Sequence, residues 1–342
     1  MVDEAPCADR PSAPEGKKPT HLDGAHGGLP GRDDVDRSPC WPPELGHGAR
    51  VGRHVSFGAA PVGTYRDGHD PGGRDQHERG LIVCGRVALF TPPERLARIL
   101  DAACVAGLAG RDPSLWHPSY NVGPTGMLLG VTAGPPPGVP ASPPPAEGLS
   151  GNREARAGLP HRALAPYRWG LVPPWANDPR IGSRLFNARA ETVATKPAFR
   201  SAFRRRRLAL PVDGFYEWGP SGRGRRPHYV RRADGGPVLL AGVWETWAPP
   251  PGEVSPGEVP SLRTCTVITT DAGADTGDIH DRMPVVLGVD QVDEWIDPSP
   301  SDGVLASLLV PAPAGTLVHH PVGLRVGNVR NDGPDLIAPV PG

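Results

Sequence analysis

The sequence predicts a single α+β domain with a mainly antiparallel, partly barrel-like β core flanked by helices. Three observations lead there. Short runs rich in β-branched and aromatic residues recur between Gly, Pro and Asp turns, the pattern of successive hairpins. Helical periodicity is confined to a few short segments, so strands outnumber helices. There is no repeat period, no GxGxxG and no GxxxxGK[ST], which argues against nucleotide-binding loops.

Residues 1–79 show almost no hydrophobic periodicity and are rich in Gly, Pro, Asp, Arg and His. They hold too few apolar residues to offset the entropy of ordering a backbone. Residues 1–82 are therefore expected to be a disordered or spuriously included extension, and 83–342 the folded part. His21, His26, His47, His54, His69 and His77 are irregularly spaced within the extension, as solvated residues would be.

The folded part opens with an apolar strand over 81–90. Thr91-Pro92-Pro93-Glu94 then predicts a helix start with Thr91 as N-cap, and Leu96, Ile99, Leu100 and Cys104 form its apolar stripe. Residues 119–124 are turn-rich, and 127–131 suit a strand. Residues 131–163 are expected to be a flexible insert, because Pro-Pro-Pro occurs twice and apolar content is low. A strand resumes over 166–172 and is broken by Pro173-Pro174-Trp175.

From Asn187 the chain leads into a helix running towards Phe199 and Phe203, ending in the run Arg204 to Arg207, read as a solvated helix end. Residues 208–212 form a buried-strand pattern turned by Asp213-Gly214. Arg223, Arg225 and Arg226 mark a hairpin tip. Further strands fall at 228–230, 238–244 and 264–270, with a flexible loop at 249–260. Residues 279–287 read as a loop entering a strand, 289–295 and 304–309 as helices, and 317–322 as a last strand.

Composition narrows the classes of partner. Gly 45 and Pro 46 make up about a quarter of the chain, near the range of low-complexity segments. The formal charge is -1; residues 1–82 carry 10 Lys+Arg against 13 Asp+Glu, leaving 26 against 24 for the rest. Attraction to nucleic acid must then come from a local patch. The five cysteines include no CxxC pair, so no disulfide framework, zinc site or cofactor is expected and a reducing compartment fits. No apolar run approaches the roughly 18–20 residues of a membrane span, and the first twenty residues lack a signal-peptide core. A soluble monomer in the bacterial cytoplasm, associated with the nucleoid, is the expectation.

Four polar residues stand in apolar or strand-like surroundings: Cys84, Asn187, Glu217 and His280. Glu217 lies between Tyr216 and Trp218, and a carboxylate desolvated against rings has a raised pKa. Such a group can hold or release a proton near neutral pH; a solvent-facing strand Glu is the plainer alternative. His280 lies between Asp278 and Asp281 and suits either a tuned acid–base group or a capped turn residue. Asn187 suits either an orienting role or a turn. Arg86, Arg189 and Arg282 each fall within two residues of one of the four, which suggests anion binding, most simply of phosphate. Trp169, Trp175 and Trp218 lie at or beside Pro/Gly-rich turns, where rings can stack on bases or simply pack into the core.

Seven blocks in this chain, in order, resemble the SRAP (SOS-response-associated peptidase) family. They are Cys84-Gly85-Arg86, Tyr120-Asn121-Val122-Gly123-Pro124, Trp169-Gly170-Leu171-Val172-Pro173, Asn187-Ala188-Arg189-Ala190-Glu191-Thr192, Asp213-Gly214-Phe215-Tyr216-Glu217-Trp218, Ile279-His280-Asp281-Arg282-Met283-Pro284 and Gly327-Asn328-Val329. The resemblance implies a domain that binds single-stranded DNA and crosslinks covalently to abasic sites. It assigns the nucleophile to Cys84, proton shuttling to Glu217, sugar-ring opening to His280 and the holding of amine or sugar to Asn187. Arg86, Arg189 and Arg282 would seat phosphates, while Trp169 and Pro124 would support splayed bases.

The reaction implied by the resemblance needs an N-terminal cysteine, whose α-amine and thiol titrate near 7.7–8.0 and 8.5. Here Cys84 follows 83 residues. Two routes would free its nitrogen. Val83 could be the start, since GTG encodes Val internally and initiates as Met in bacteria; alternatively the preceding segment could be removed by proteolysis, in which the family's peptidase name would find its meaning. Two other functions compete: a thiol peptidase using Cys84 with His280 or Glu217 as base, and a non-covalent single-stranded DNA-binding module.

Overall fold

In the computed structural model, residues 84–105, 108, 115–135, 162–250 and 261–341 are described. The expected extension 1–82 lies outside the described residues. So do 136–161 and 251–260, which form most of the two expected flexible loops. Residues 131–133 and 162–163, at the edges of the first of these, belong instead to strands.

In chain order the elements are β1 (Arg86–Leu89), α1 (Pro93–Leu100), β2 (Ala102–Cys104), β3 (Ser119–Val122), β4 (Met127–Ala133), β5 (Arg162–Trp169), β6 (Asn187–Arg189), α2 (Ala190–Val193) and α3 (Arg200–Arg205). There follow β7 (Arg207–Val212), β8 (Gly214–Ser221), β9 (Gly224–Arg232), β10 (Val238–Trp247), β11 (Leu262–Asp271), β12 (Arg282–Pro284), β13 (Val286–Leu287), α4 (Val292–Ile296), α5 (Asp302–Leu308) and β14 (Leu317–Pro321). All lie in one unit, Arg74–Gly342.

Two sheets carry the fold. In the larger, β11, β10, β7, β4 and β5 follow one another, and a parallel pairing of Cys265 with Trp169 returns β5 to β11. The five strands thus close into a barrel, which removes their free edges. β7 is buried at every position, and so is β10 apart from Thr246. Strands covered on both faces read as continuous apolar runs, which is why 208–212 and 238–244 stand out in the sequence.

The smaller sheet is antiparallel in the order β14-β9-β8-β1-β3. Period-two alternation gives it two buried faces. Val87, Phe215, Val230 and Leu317 join the main core. Ala88, Tyr216 and Tyr229 pack with Val326 and Leu336 in a second cluster. Gly214, which opens β8, is needed because a Cβ there would press within 2.5 Å of the Tyr229 ring and the Val230 carbonyl.

Several local expectations are corrected by longer-range contacts. Thr91 is not the N-cap of α1: Pro92 is, and the Thr91 hydroxyl is drawn off to the Asp213 carboxylate. That carboxylate also accepts the Phe90 and Thr91 N–H groups at 2.6 and 2.8 Å. α1 ends at Leu100, where Asp101 is left-handed (φ 47°), and Cys104 pairs with Leu164 as a strand residue instead. The helix expected after Asn187 is two helices, α2 and α3. The arginine run splits: Arg204 and Arg205 are exposed, Arg206 pairs with Glu245 at 2.6 Å, and Arg207 is buried. Arg207 donates to the carbonyls of Trp295, Phe203 and Asp297.

Candidate active site

Glu217 is in the middle of β8, on the face that holds Phe215. Tyr216 beside it is fully buried and Trp218 is half-buried, and Trp218 lines the same cavity as Glu217. Two of the carboxylate's three partners come from far along the chain. Oε2 accepts the backbone N–H of Cys84 at 2.9 Å, Oε1 accepts that of Trp218 at 3.1 Å, and Oε1 lies 3.9 Å from His280 Nε2. The residue is 2% exposed. Burial pushes the carboxyl up to about 7, against the two N–H bonds and the charge of Arg225, which favour the ionised form.

Cys84 is fully buried, and its thiol is raised well above the ordinary range by burial first and the Glu217 charge second. Its φ is 45°, the left-handed region that a residue with a Cβ seldom occupies. His280 is held below the ordinary histidine range by burial, which outweighs the opposing pull of Asp281. Two groups meet its Nδ1: the Arg282 N–H at 2.9 Å and Asp281 Oδ1 at 2.8 Å. A neutral Nδ1 can accept the first or donate to the second, not both. The Arg282 N–H is a fixed donor and the Asp281 carboxylate is largely solvated, so we assign Nδ1 as acceptor. The ring proton then sits on Nε2, facing Glu217.

Cys84, Glu217 and His280 are therefore brought together from three parts of the chain. Asn187 opens β6, half-buried, directly after Phe186. A cavity of about 430 Å³ adjoins the cluster, lined in part by Glu217, His280, Pro124, Phe186, Trp218 and Arg225. Among the described residues, no group of three or more His, Cys, Asp and Glu is placed to hold a metal ion.

The expected phosphate and base contacts are redistributed. Arg86 lines the cavity, but its Nη atoms already donate to Asn121 Oδ1 at 3.0 Å, Val326 O at 2.6 Å and Gly327 O at 3.0 Å. Arg282 is bound to Glu191 at 2.9 and 3.1 Å, to Asp271 at 3.0 Å and to Thr269 O at 2.8 Å. Both are structural ties before they are anion ligands, whereas Arg189 is exposed at the N-cap of α2. Trp169, expected from the resemblance to support splayed bases, is fully buried. Its indole N–H donates to Phe186 O at 2.9 Å and its ring packs edge-on against Phe186. Phe186, which lines the cavity together with Trp218, has no sequence signal beyond its place beside Asn187. Arg225 reads in sequence as a hairpin tip, yet its guanidinium folds back onto the Trp218 carbonyl at the cavity wall.

The geometry defines a buried thiol–carboxyl–imidazole site set where an antiparallel sheet meets a closed barrel. The profile of the SOS response associated peptidase (SRAP) family matches residues 83–329, and the chain belongs to that family. Over 224 residues it is 36% identical to the abasic site processing protein YoqW of Bacillus subtilis, covering 65% of this chain and 86% of that one. It is 37% identical over 186 residues to the abasic site processing protein YedK of Escherichia coli, covering 53% and 77%. It is 30% identical over 288 residues to the abasic site processing protein HMCES of Gallus gallus, covering 75% and 78%. A crystal structure of a Bordetella bronchiseptica protein shares the fold, with TM-score 0.52 and 24% identity over 70% of this chain and 100% of that one. Among the described residues no helix is long and apolar enough to cross a membrane.

Proposed function

We propose that this protein processes abasic sites in single-stranded DNA, with Cys84 as an N-terminal residue forming a thiazolidine with the sugar aldehyde. The observation that carries the reading is the 2.9 Å contact from the Cys84 nitrogen to Glu217, a carboxyl raised to about 7. The SRAP relatives named for abasic-site processing support it.

In this reading the opened sugar presents its aldehyde in the cavity. Glu217 takes a proton from the Cys84 ammonium, and the free amine adds to the aldehyde carbon. Glu217 returns the proton to the resulting hydroxyl, which leaves as water and yields a protonated imine. The Cys84 sulfur then adds to the imine carbon, and the thiol proton passes to nitrogen. Amine, thiol and aldehyde thus become one five-membered ring plus one water. A carboxyl titrating near 7 is suited to both proton steps. His280, with its proton on Nε2, serves the ring oxygen during opening. Asn187 holds the amine or sugar, Arg189 a phosphate, and Pro124, Phe186 and Trp218 the flanking bases.

A thiol peptidase acting through Cys84 is the competing reading; it is disfavoured because a thiolate nucleophile needs a lowered pKa and this thiol is raised. The test compares the full chain with a form initiated at codon 83, from which Met removal leaves Cys84 first. Each is incubated with an oligonucleotide bearing one abasic site and run on a denaturing gel. A surviving band is expected from the Cys84-terminal form, and none after its amine is acetylated or in Cys84→Ala. A Cys84-terminal protein that gives no band would overturn the proposal.

A further inference from the structure

The core-facing side of the smaller sheet does not stay apolar along its length. β8 and β9 pair Phe215 with Val230 and, two residues on, Glu217 with His228. β14 aligns His319 with Val230 and Pro321 with His228. Directly paired residues share a face, and so do residues two apart. Glu217, His228 and His319 are therefore a polar row on one face of three adjacent strands.

The segment Asp278–Ile279–His280 lies against this face, with its two polar residues meeting the ends of that row. His280 faces Glu217 at 3.9 Å. Ile279 covers Gly219 so closely that a Cβ there would sit 2.9 Å from its Cγ2. Asp278 Oδ1 is 3.3 Å from His319 Nε2, and His319 Nδ1 is 3.2 Å from His228 Nδ1. The same loop is tied to the start of β14 by Asp275, which accepts the Gly315 and Leu317 N–H groups at 2.8 Å each.

The proton count of the histidine pair is set by geometry. Two nitrogens 3.2 Å apart need one proton between them. Of the two Nδ1 atoms one donates and the other accepts, while His319 Nε2 lies beside Asp278 Oδ1. Protonating both rings breaks the contact. Arg226 from β9 and His320 from β14 add positive field at His228, and Asp278 opposes it. His280 itself is faced by Asp281, Arg225 and Arg282 besides Glu217.

We propose that Asp278, His319 and His228 are positioning residues that clamp the 275–281 loop so that His280 Nε2 stays aimed at Glu217. The catalytic consequence rests on the reading of Glu217 and His280 given above; the clamp does not.

The test is imidazole and amide NMR on the full chain from pH 5 to 9, with hydrogen exchange at residues 279–281, for wild type, Asp278→Ala, Asp278→Glu and His319→Gln. Asp278 is largely exposed, so its variants fold even where a histidine change does not. In wild type His280 titrates below the ordinary range. In Asp278→Ala and His319→Gln it is expected to move towards pH 6.5, with exchange at 279–281 faster by about tenfold or more. Asp278→Glu is expected to restore both. The crosslinking rate of the Cys84-terminal form should fall roughly tenfold to a hundredfold with DNA affinity unchanged. Unchanged titration and exchange in both disrupting variants would overturn the clamp. A wild type that never crosslinks would sink the functional reading while the NMR result still decides the clamp, and a moved titration with an unchanged rate would remove its catalytic role.

Discussion

The backbone nitrogen of Cys84 and the carboxylate of Glu217 meet at 2.9 Å across 133 residues of chain. The contact places the one main-chain nitrogen that the proposed chemistry needs against a proton carrier that burial has tuned to about 7. It is made where β1 and β8 run side by side, with Arg86 opposite Tyr216. Four consequences can be measured.

The first concerns stability against pH. The Glu217 carboxyl rises from its ordinary 4.5 to about 7 in the folded chain. Between these values the folded state keeps a proton that the unfolded state has lost. Stability is therefore fully present below about pH 4.5, falls as pH rises, and has lost roughly 3 kcal/mol from this group above pH 7. Glu217→Gln keeps an acceptor for the Cys84 N–H and cannot ionise. It should match wild type at pH 4 and exceed it at pH 8 by up to about 3 kcal/mol in denaturant unfolding. Equal stability at both pH values would mean that the carboxyl titrates normally. In the crosslinking assay the same variant should lose about 10²–10⁴ in rate.

Thiol accessibility is the second. Cys84, Cys104 and Cys265 are all buried, and burial raises all three thiols. Iodoacetamide at pH 7.5 should leave them unmodified in the native full chain and label them once it is denatured, as read by peptide mass spectrometry. Rapid native labelling of Cys84 would contradict its burial.

The third separates the members of the arginine run. Arg207 is 2% exposed, its pKa is lowered to about 10 by burial, and it holds three carbonyls. Arg207→Ala should cost about 3–5 kcal/mol, since two buried acceptors and one half-buried acceptor lose a charged donor. Arg204→Ala and Arg205→Ala should stay within about 0.5 kcal/mol of wild type. Thermal unfolding distinguishes the two outcomes.

The fourth separates ring from support. Trp169→Ala should destabilise the fold by about 3–5 kcal/mol, as a large core truncation does. Phe186→Ala, at the half-buried cavity wall, should cost less stability and weaken binding of a fluorescent single-stranded oligonucleotide. A Trp169→Ala protein of wild-type stability that binds DNA weakly would restore the stacking role that its burial denies.

Much of the fold was legible because it is written in short-range pattern. The continuous apolar runs at 208–212 and 238–244 become β7 and β10. Cys84, Glu217 and His280 were legible as polar residues in apolar surroundings. What misled were local rules overruled at a distance. Thr91 would cap α1 but bonds to Asp213, and Cys104 continues a helical stripe only until Asp101 turns left-handed.

Residue order alone determined the alternation of strand and turn, the short helices and the residue types able to carry proton transfer beside a thiol, because these depend on neighbours a few positions apart. Tertiary structure alone decided which cations are spent on structure, which aromatic residues line the cavity and which residues lie beside His280. Those outcomes follow from contacts spanning tens to hundreds of residues, such as Arg86 with Val326 and Asp278 with His319. A buried donor or acceptor takes whichever partner the closed sheets bring to it, and spacing along the chain holds no record of that choice.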